Sequence, residues 1–133
     1  MSKAVLVCGG RDFCIPQNRE KYALAQAKKE QNFLIKVLDS LLLEIGSFTL
    51  VHGTARGADS FAASWAEWKK LPIKAYPADW KRYNRAAGSI RNQQMLDKES
   101  PDLVIAFCGG TGTAHMVSIA RAANIPVTHY ENV

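Results

Sequence analysis

The chain has 133 residues, 17 of them Lys or Arg and 12 Asp or Glu, for a formal charge of +5; that length builds one compact core, and no apolar run approaches the roughly 20 residues of a membrane span. Hydrophobic residues at 47% and charged residues at 22% are the proportions of an ordinary soluble domain without low-complexity tracts. Three cysteines without C-x-x-C spacing suggest neither a disulfide framework nor a zinc site, so no metal or other cofactor is expected.

Short Val/Leu/Ile-rich runs alternate with helical patterns along the chain. Residues 3–8 read as a first strand ending in Cys8, followed by Gly9-Gly10-Arg11-Asp12. The stretch 14–32, "CIPQNREKYALAQAKKEQN", is polar without a clear apolar stripe, and Pro16 can open a helix but not sit inside one. It reads as a solvated helical insertion that either lengthens the first helix or stands as a separate piece. Phe33, Leu34, Val37, Leu38, Leu41, Leu42 and Ile45 then have helical spacing closed by Gly46.

A second strand at 48–52 leads into Gly53-Thr54-Ala55-Arg56-Gly57-Ala58-Asp59 and a helix carrying Phe61, Ala62, Trp65 and Ala66. A third strand at 72–76 precedes "PADWKRYNRAAGSIRNQQML", which gathers Lys81, Arg82, Arg85 and Arg91 with Trp80 and Tyr83. A fourth at 102–107 runs into Cys108 and Gly109-Gly110-Thr111-Gly112-Thr113, followed by a helix through Met116, Ile119 and Ala123 and a last strand at 125–129. Strict alternation predicts an α/β fold, a Rossmann-like three-layer α/β/α sandwich on a mostly parallel five-stranded sheet with right-handed crossovers. Cys8 and Cys108, at strand ends, are expected to be buried and structural. The start of the sequence lacks the apolar region of a secretory signal, and free thiols suit a reducing compartment, so a cytoplasmic setting is expected.

Three glycine-rich turns each follow a strand, which in a parallel sheet gathers them on the carboxyl edge where ligands bind. Glycine lets the main chain approach a phosphate, helix N-termini supply amides and a positive dipole end, and threonine hydroxyls and arginines add donors. The candidate ligand-binding residues are therefore Gly9, Gly10, Arg11 and Asp12; Gly53, Thr54, Ala55, Arg56, Gly57 and Asp59; Arg91 and Asn92; and Gly109, Gly110, Thr111, Gly112 and Thr113. Neither the dinucleotide fingerprint nor the P-loop ending is present, which disfavours NAD oxidoreduction and NTP-driven phosphoryl transfer.

"VCGGRDF", "HGTARGADSFAASWA", "PADWKRYNRAAGSIRNQQML" and "FCGGTGTAHM", in this order, resemble the motifs of the SLOG superfamily in its YspA/YpsA-related branch, over nearly the whole chain apart from 14–32. The superfamily includes the DNA-processing protein DprA and the cytokinin-activating Lonely Guy enzymes. The resemblance implies a Rossmann-like fold, a nucleotide or nucleotide-derived ligand, and a homo-oligomer, to whose interface the Leu41-Leu42-Leu43 run is a candidate contributor.

The chain departs from the Lonely Guy signature Pro-Gly-Gly-x-Gly-Thr-x-x-Glu: Cys108 stands at the proline and Met116 at the glutamate. A thioether can neither stabilise an oxocarbenium-like state nor polarise water, so that mechanism does not transfer. The catalytic residues stay unassigned, with Asp59 the weak candidate, its alternative being a helix-capping role, and with Asp12 and Asp79 as further loop acids. His115 reads as a surface residue. The leading expectation is a sensor or sequestering domain for a nucleotide derivative. The alternatives are a nucleotide N-glycosidic-bond hydrolase or transferase, and single-stranded nucleic-acid binding through scattered cations and Trp80 and Tyr83.

Overall fold

The computed structural model describes residues 3–133. Its five strands are β1 (Lys3–Cys8), β2 (Phe48–His52), β3 (Ile73–Ala75), β4 (Leu103–Ala106) and β5 (Val127–His129). They form one all-parallel sheet in the order β3-β2-β1-β4-β5. Between them run α1 (Lys21–Ile45), α2 (Ala58–Trp68), α3 (Trp80–Tyr83), a 3-10 turn at Asn84–Ala86, α4 (Ala87–Glu99) and α5 (Thr111–Ala122). The Rossmann-like α/β sandwich expected from the alternation is the fold observed.

β1 lies at the centre, with Val5 opposite both Leu50 of β2 and Leu103 of β4. Covered on both faces, it reads as an unbroken apolar run, and Val5, Leu6 and Val7 are fully buried. Its alternate residues serve opposite layers. Val5 and Val7 pack with Leu34 and Leu38 of α1 and with Ala62 and Trp65 of α2. Leu6 packs on the other face with Met95 and Leu96 of α4 and Met116 and Ala120 of α5.

Three strands are shorter than their apolar runs suggest. Pro72 and Pro126 have no N–H for the ladder but still accept through their carbonyls, from Leu50 N at 2.9 Å and Val104 N at 2.9 Å. Pairing therefore starts at the prolines, while the regular strands begin one residue later. In the segment 14–32, residues 21–32 are continuous with the apolar-patterned part of α1, making one helix of 25 residues. Residues 14–20 form an irregular loop stapled to it: Glu30 Oε1 accepts from Cys14 N at 2.8 Å, and Gln31 Nε2 donates to Cys14 O at 3.0 Å. Cys14 is fully buried with a φ of +73°. Burial pushes its thiol up to about 12, which keeps it protonated and unreactive.

An aromatic cluster ties the carboxyl edge together. Phe107, fully buried directly after β4, stacks on Phe13 at 5.3 Å and Tyr130 at 5.8 Å and meets the edge of Phe33 at 6.2 Å. It thus joins the turns after β1, β4 and β5 to α1. Phe107→Ala is expected to lower unfolding stability by about 3–5 kcal/mol through the cavity it leaves, measurable as a reduced urea midpoint at unchanged m-value.

Candidate functional site

From central β1 the chain first steps outward through β2 to β3, then returns to place β4 on the other side of β1. The reversal opens a crevice above the carboxyl ends of β1 and β4, the place where such sheets take ligands. The turn after β1 and the turn after β4 meet there, Gly10 N donating to Cys108 O at 2.7 Å. The turn after β2 joins them, because Ala58 N donates to Gly10 O at 3.3 Å. All three predicted glycine turns thus sit on one rim.

The glycines of this rim fall into two groups. A Cβ on Gly9 would lie 2.6 Å from Ala58 Cβ, one on Gly10 would lie 2.9 Å from Cys108 O, and one on Gly109 would lie 2.8 Å from Gly10 N. Gly57, at a φ of +82°, would drive its Cβ into the carbonyls of Gly10 and Arg11. Close packing of turn on turn demands glycine at these four positions. Gly110 and Gly112 differ: a Cβ on either would meet no atom within 4 Å, and neither has a positive φ. The amides of Thr111, Gly112 and Thr113, the first three of α5, have no acceptor among the described residues.

The amides of the β2 turn are arranged otherwise. Asp59, only 5% exposed, accepts through Oδ2 from Gly53 N at 2.9 Å and Ala55 N at 3.3 Å. His52 Nδ1 accepts from Thr54 N at 3.1 Å. Three predicted contact residues, Gly53, Thr54 and Ala55, therefore have their N–H groups satisfied from within the chain. Burial raises the Asp59 pKa to about 6, outweighing the two amide bonds and the nearby Arg91 that favour its charged form. Burial, and secondarily Arg91, lowers the pKa of His52, keeping its imidazole neutral with Nδ1 as acceptor. His52 is not among the residues expected at the rim from the sequence; its place at the end of a strand, immediately before a glycine turn, is the available signal.

Arg91 and Asn92 in the second turn of α4 bridge the turns. Arg91 Nη1 donates to Gly53 O, Arg91 Nε donates to Asn92 Oδ1 at 3.0 Å, and Asn92 Nδ2 donates to Gly112 O at 3.2 Å. The Asn92 amide also lies 3.2 Å from His115 Nδ1, so His115, in the second turn of α5, is half-buried and joined to this bridge. On the outer rim the Arg11 guanidinium lies 5.7 Å from the centre of the Trp80 ring, and Arg56 pairs with Asp12. Trp80 is 48% exposed. Asp79 caps α3, accepting from Arg82 N at 3.2 Å.

The acids of the rim thus each hold a protein partner: Asp12 an arginine, Asp59 two amides, Asp79 a helix end. Burial raises the pKa of Cys8 well beyond the usual thiol range, and Cys108 Sγ donates to Glu131 O at 3.0 Å. Neither thiol is poised as a nucleophile. Among the described residues no group of three or more His, Cys, Asp or Glu side chains converges as a metal site. No helix among them is long and apolar enough to cross a membrane.

The model of the YspA, cpYpsA-related SLOG family matches residues 3–83, from β1 through the Arg11, Gly53–Asp59 and Trp80 segments. The chain belongs to this family. A curated relative, the Gene 61 protein of Mycobacterium phage D29, is 36% identical over 88 residues, which cover 61% of this chain and 70% of the phage protein. No solved structure matches.

Within this SLOG chain the Asp59 carboxyl links the site to pH. Folded, it keeps its proton up to about pH 6, whereas its ordinary value is 3.8. Its stabilising contribution is therefore complete below about pH 4 and is lost as pH rises through 6. Asp59→Asn cannot titrate. The stability of the wild type relative to Asp59→Asn should thus fall by roughly 1–3 kcal/mol between pH 4 and pH 7 in parallel denaturant titrations.

Proposed function

We propose that this SLOG domain binds a nucleotide or nucleotide-derived ligand, seating a phosphate on the first turn of α5, as a sensor or sequestering domain. The observation that carries the reading is Gly112, in the first turn of α5, where neither packing nor a left-handed backbone calls for glycine; Gly110 before it is the N-cap, a position that takes glycine readily. A glycine within a helix, as Gly112 is, costs about 0.5–1 kcal/mol relative to alanine. The gain that offsets this cost is a bare main chain onto which an anion can settle.

Three further features support the reading. The amides of Thr111, Gly112 and Thr113 have no acceptor among the described residues at the positive end of a 12-residue helix, with Thr111 and Gly112 exposed and Thr113 buried, the arrangement that binds phosphate elsewhere. Arg11 and Arg56 stand exposed at the same rim, where a guanidinium can grip phosphate oxygens bidentately. Trp80 offers an exposed ring beside Arg11, a platform on which a base can stack.

In this reading Gly10, Gly57 and Gly109 shape the turns, and Asp59, Arg91 and Asn92 hold them in place. Calorimetry with AMP, ADP-ribose, NAD and cyclic nucleotides should show binding to the wild type. Gly112→Asp places a carboxylate at the proposed phosphate seat: affinity should fall at least tenfold while stability stays level or rises by up to about 1 kcal/mol, since an acid suits a helix N-terminus. Gly57→Ala should do the reverse in kind, unfolding more readily because its backbone conformation cannot be kept. Absence of heat with every one of these ligands would refute the proposal.

A further inference from the structure

The polar segment 14–32 encloses an open pocket against the crevice rim. Its volume is about 450 Å³, within the roughly 300–1,000 Å³ of small-molecule sites. Gly109 and Gly110 line it from the turn after β4, and Ile15, Ala23, Gln26 and Glu30 line it from that segment. Glu30 is half-buried, and its carboxylate is held at both oxygens: Oε1 accepts from Cys14 N at 2.8 Å and Oε2 accepts from Gln26 Nε2 at 3.0 Å. A carboxylate has about four lone-pair sites, so this fixed group can accept from two more donors.

This pocket and Trp80 flank the rim from opposite faces of the sheet. Trp80 sits over Gly88 of α4, and α4 packs with Leu6, whereas α1 packs with Val5 and Val7. Arg11 belongs to both places, lining the pocket with its guanidinium 5.7 Å from the centre of the Trp80 ring. Gly109 and Gly110 lead from the pocket directly into the first turn of α5. A phosphate seated on that turn therefore has space for a substituent on each side, and a monoester fills only one of them.

The charged residues of the pocket are Arg11, Asp12 and Glu30, so a substituent of either sign meets a like charge there. Neutral hydroxyls meet none. Two of them on neighbouring carbons suit the two oxygens of a fixed carboxylate, which only accepts, and Ala23 and Ile15 supply apolar contact for the ring that carries them. We propose that this pocket takes a second sugar, joined through the phosphate to the nucleotide, with Glu30 accepting from its hydroxyls. The ligand class is then a nucleotide whose phosphate bridges to a further polyhydroxylated ring, and the residue that selects it lies on α1, away from the glycine turns. This inference rests on the phosphate seat at α5 proposed above and adds what that phosphate is bonded to.

Calorimetry with AMP, ADP and ADP-ribose isolates the second sugar, because ADP carries the same diphosphate without it. The wild type should bind ADP-ribose about tenfold more tightly than ADP, or better, since hydrogen bonds to a charged group are the strong ones. Glu30→Gln keeps a carbonyl oxygen for Cys14 N but removes the charge, and should lower that ratio while leaving the ADP affinity level. Ala23→Leu fills the pocket without touching the carboxylate and suits a helix; it should bring ADP-ribose down to the affinity of ADP. A wild type that binds ADP-ribose no more tightly than ADP, or a ratio left unchanged by either variant, overturns the second-sugar site while AMP and ADP binding keeps the phosphate seat. Absence of binding by all three ligands removes both.

Discussion

Parallel pairing of β1 with β2 on one side and β4 on the other is the constraint from which the rest of the molecule follows. Parallel neighbours leave every strand's carboxyl end on the same edge and require a helix to bring the chain back. With β1 central, the reversal of strand order falls between β1 and β4, and the turns leaving those strands cannot both avoid the gap above it. The hydrogen bond from Gly10 N to Cys108 O closes that gap at its base. Phe107 then locks the arrangement from below, since its ring touches aromatic residues of both flanking turns and of α1.

Once the turns are brought this close, their composition has two separate causes. At Gly9, Gly10, Gly57 and Gly109 the neighbouring turn occupies the space a side chain would need. At Gly110 and Gly112 nothing occupies it. The same contrast runs through the amides: those of Gly53, Thr54 and Ala55 are held by Asp59 and His52, and those at the start of α5 have no acceptor among the described residues. The β2 turn behaves as a braced wall and the β4 turn as the surface that wall supports. Bracing of this kind matters for binding, because loops already ordered by their own protein contacts lose little conformational entropy when a ligand arrives.

Much of this was legible in the sequence because it depends on period and punctuation. The five apolar runs, the helix stop at Gly46 and the three glycine turns each announce themselves within a few residues, and the alternation fixes which edge they share. What the sequence left open depends on contacts between distant segments. Nothing local separates Gly109 from Gly110, yet a Cβ on Gly109 would collide with the turn after β1 and one on Gly110 would not. Asp59 was read as a possible helix cap, but its carboxylate reaches back to the amides of Gly53 and Ala55, a local motif that the six-residue spacing from Gly53 did not advertise. The continuity of α1 through its polar first half was obscured because, besides the small buried Ala27, it is the polar Glu30 and Gln31, stapling Cys14, that face protein there.

The distribution of charge at the rim follows the same division. Arg91 is tied to Gly53 O and Asn92, and lies close enough to Asp59 to favour its ionised form. Drawing it toward a ligand would leave a buried carbonyl without its donor, a loss of about 1–3 kcal/mol before any gain. Arg56 is different. Its partner Asp12 is as exposed as it is, with side chains 61% and 65% accessible, and ion pairs in water are worth only about 0–1 kcal/mol. In the proposed reading an anion at α5 would exchange Asp12 for itself at almost no cost, so Arg56 is free to turn to a phosphate, whereas half-buried Arg91 would serve by keeping the turns where they are.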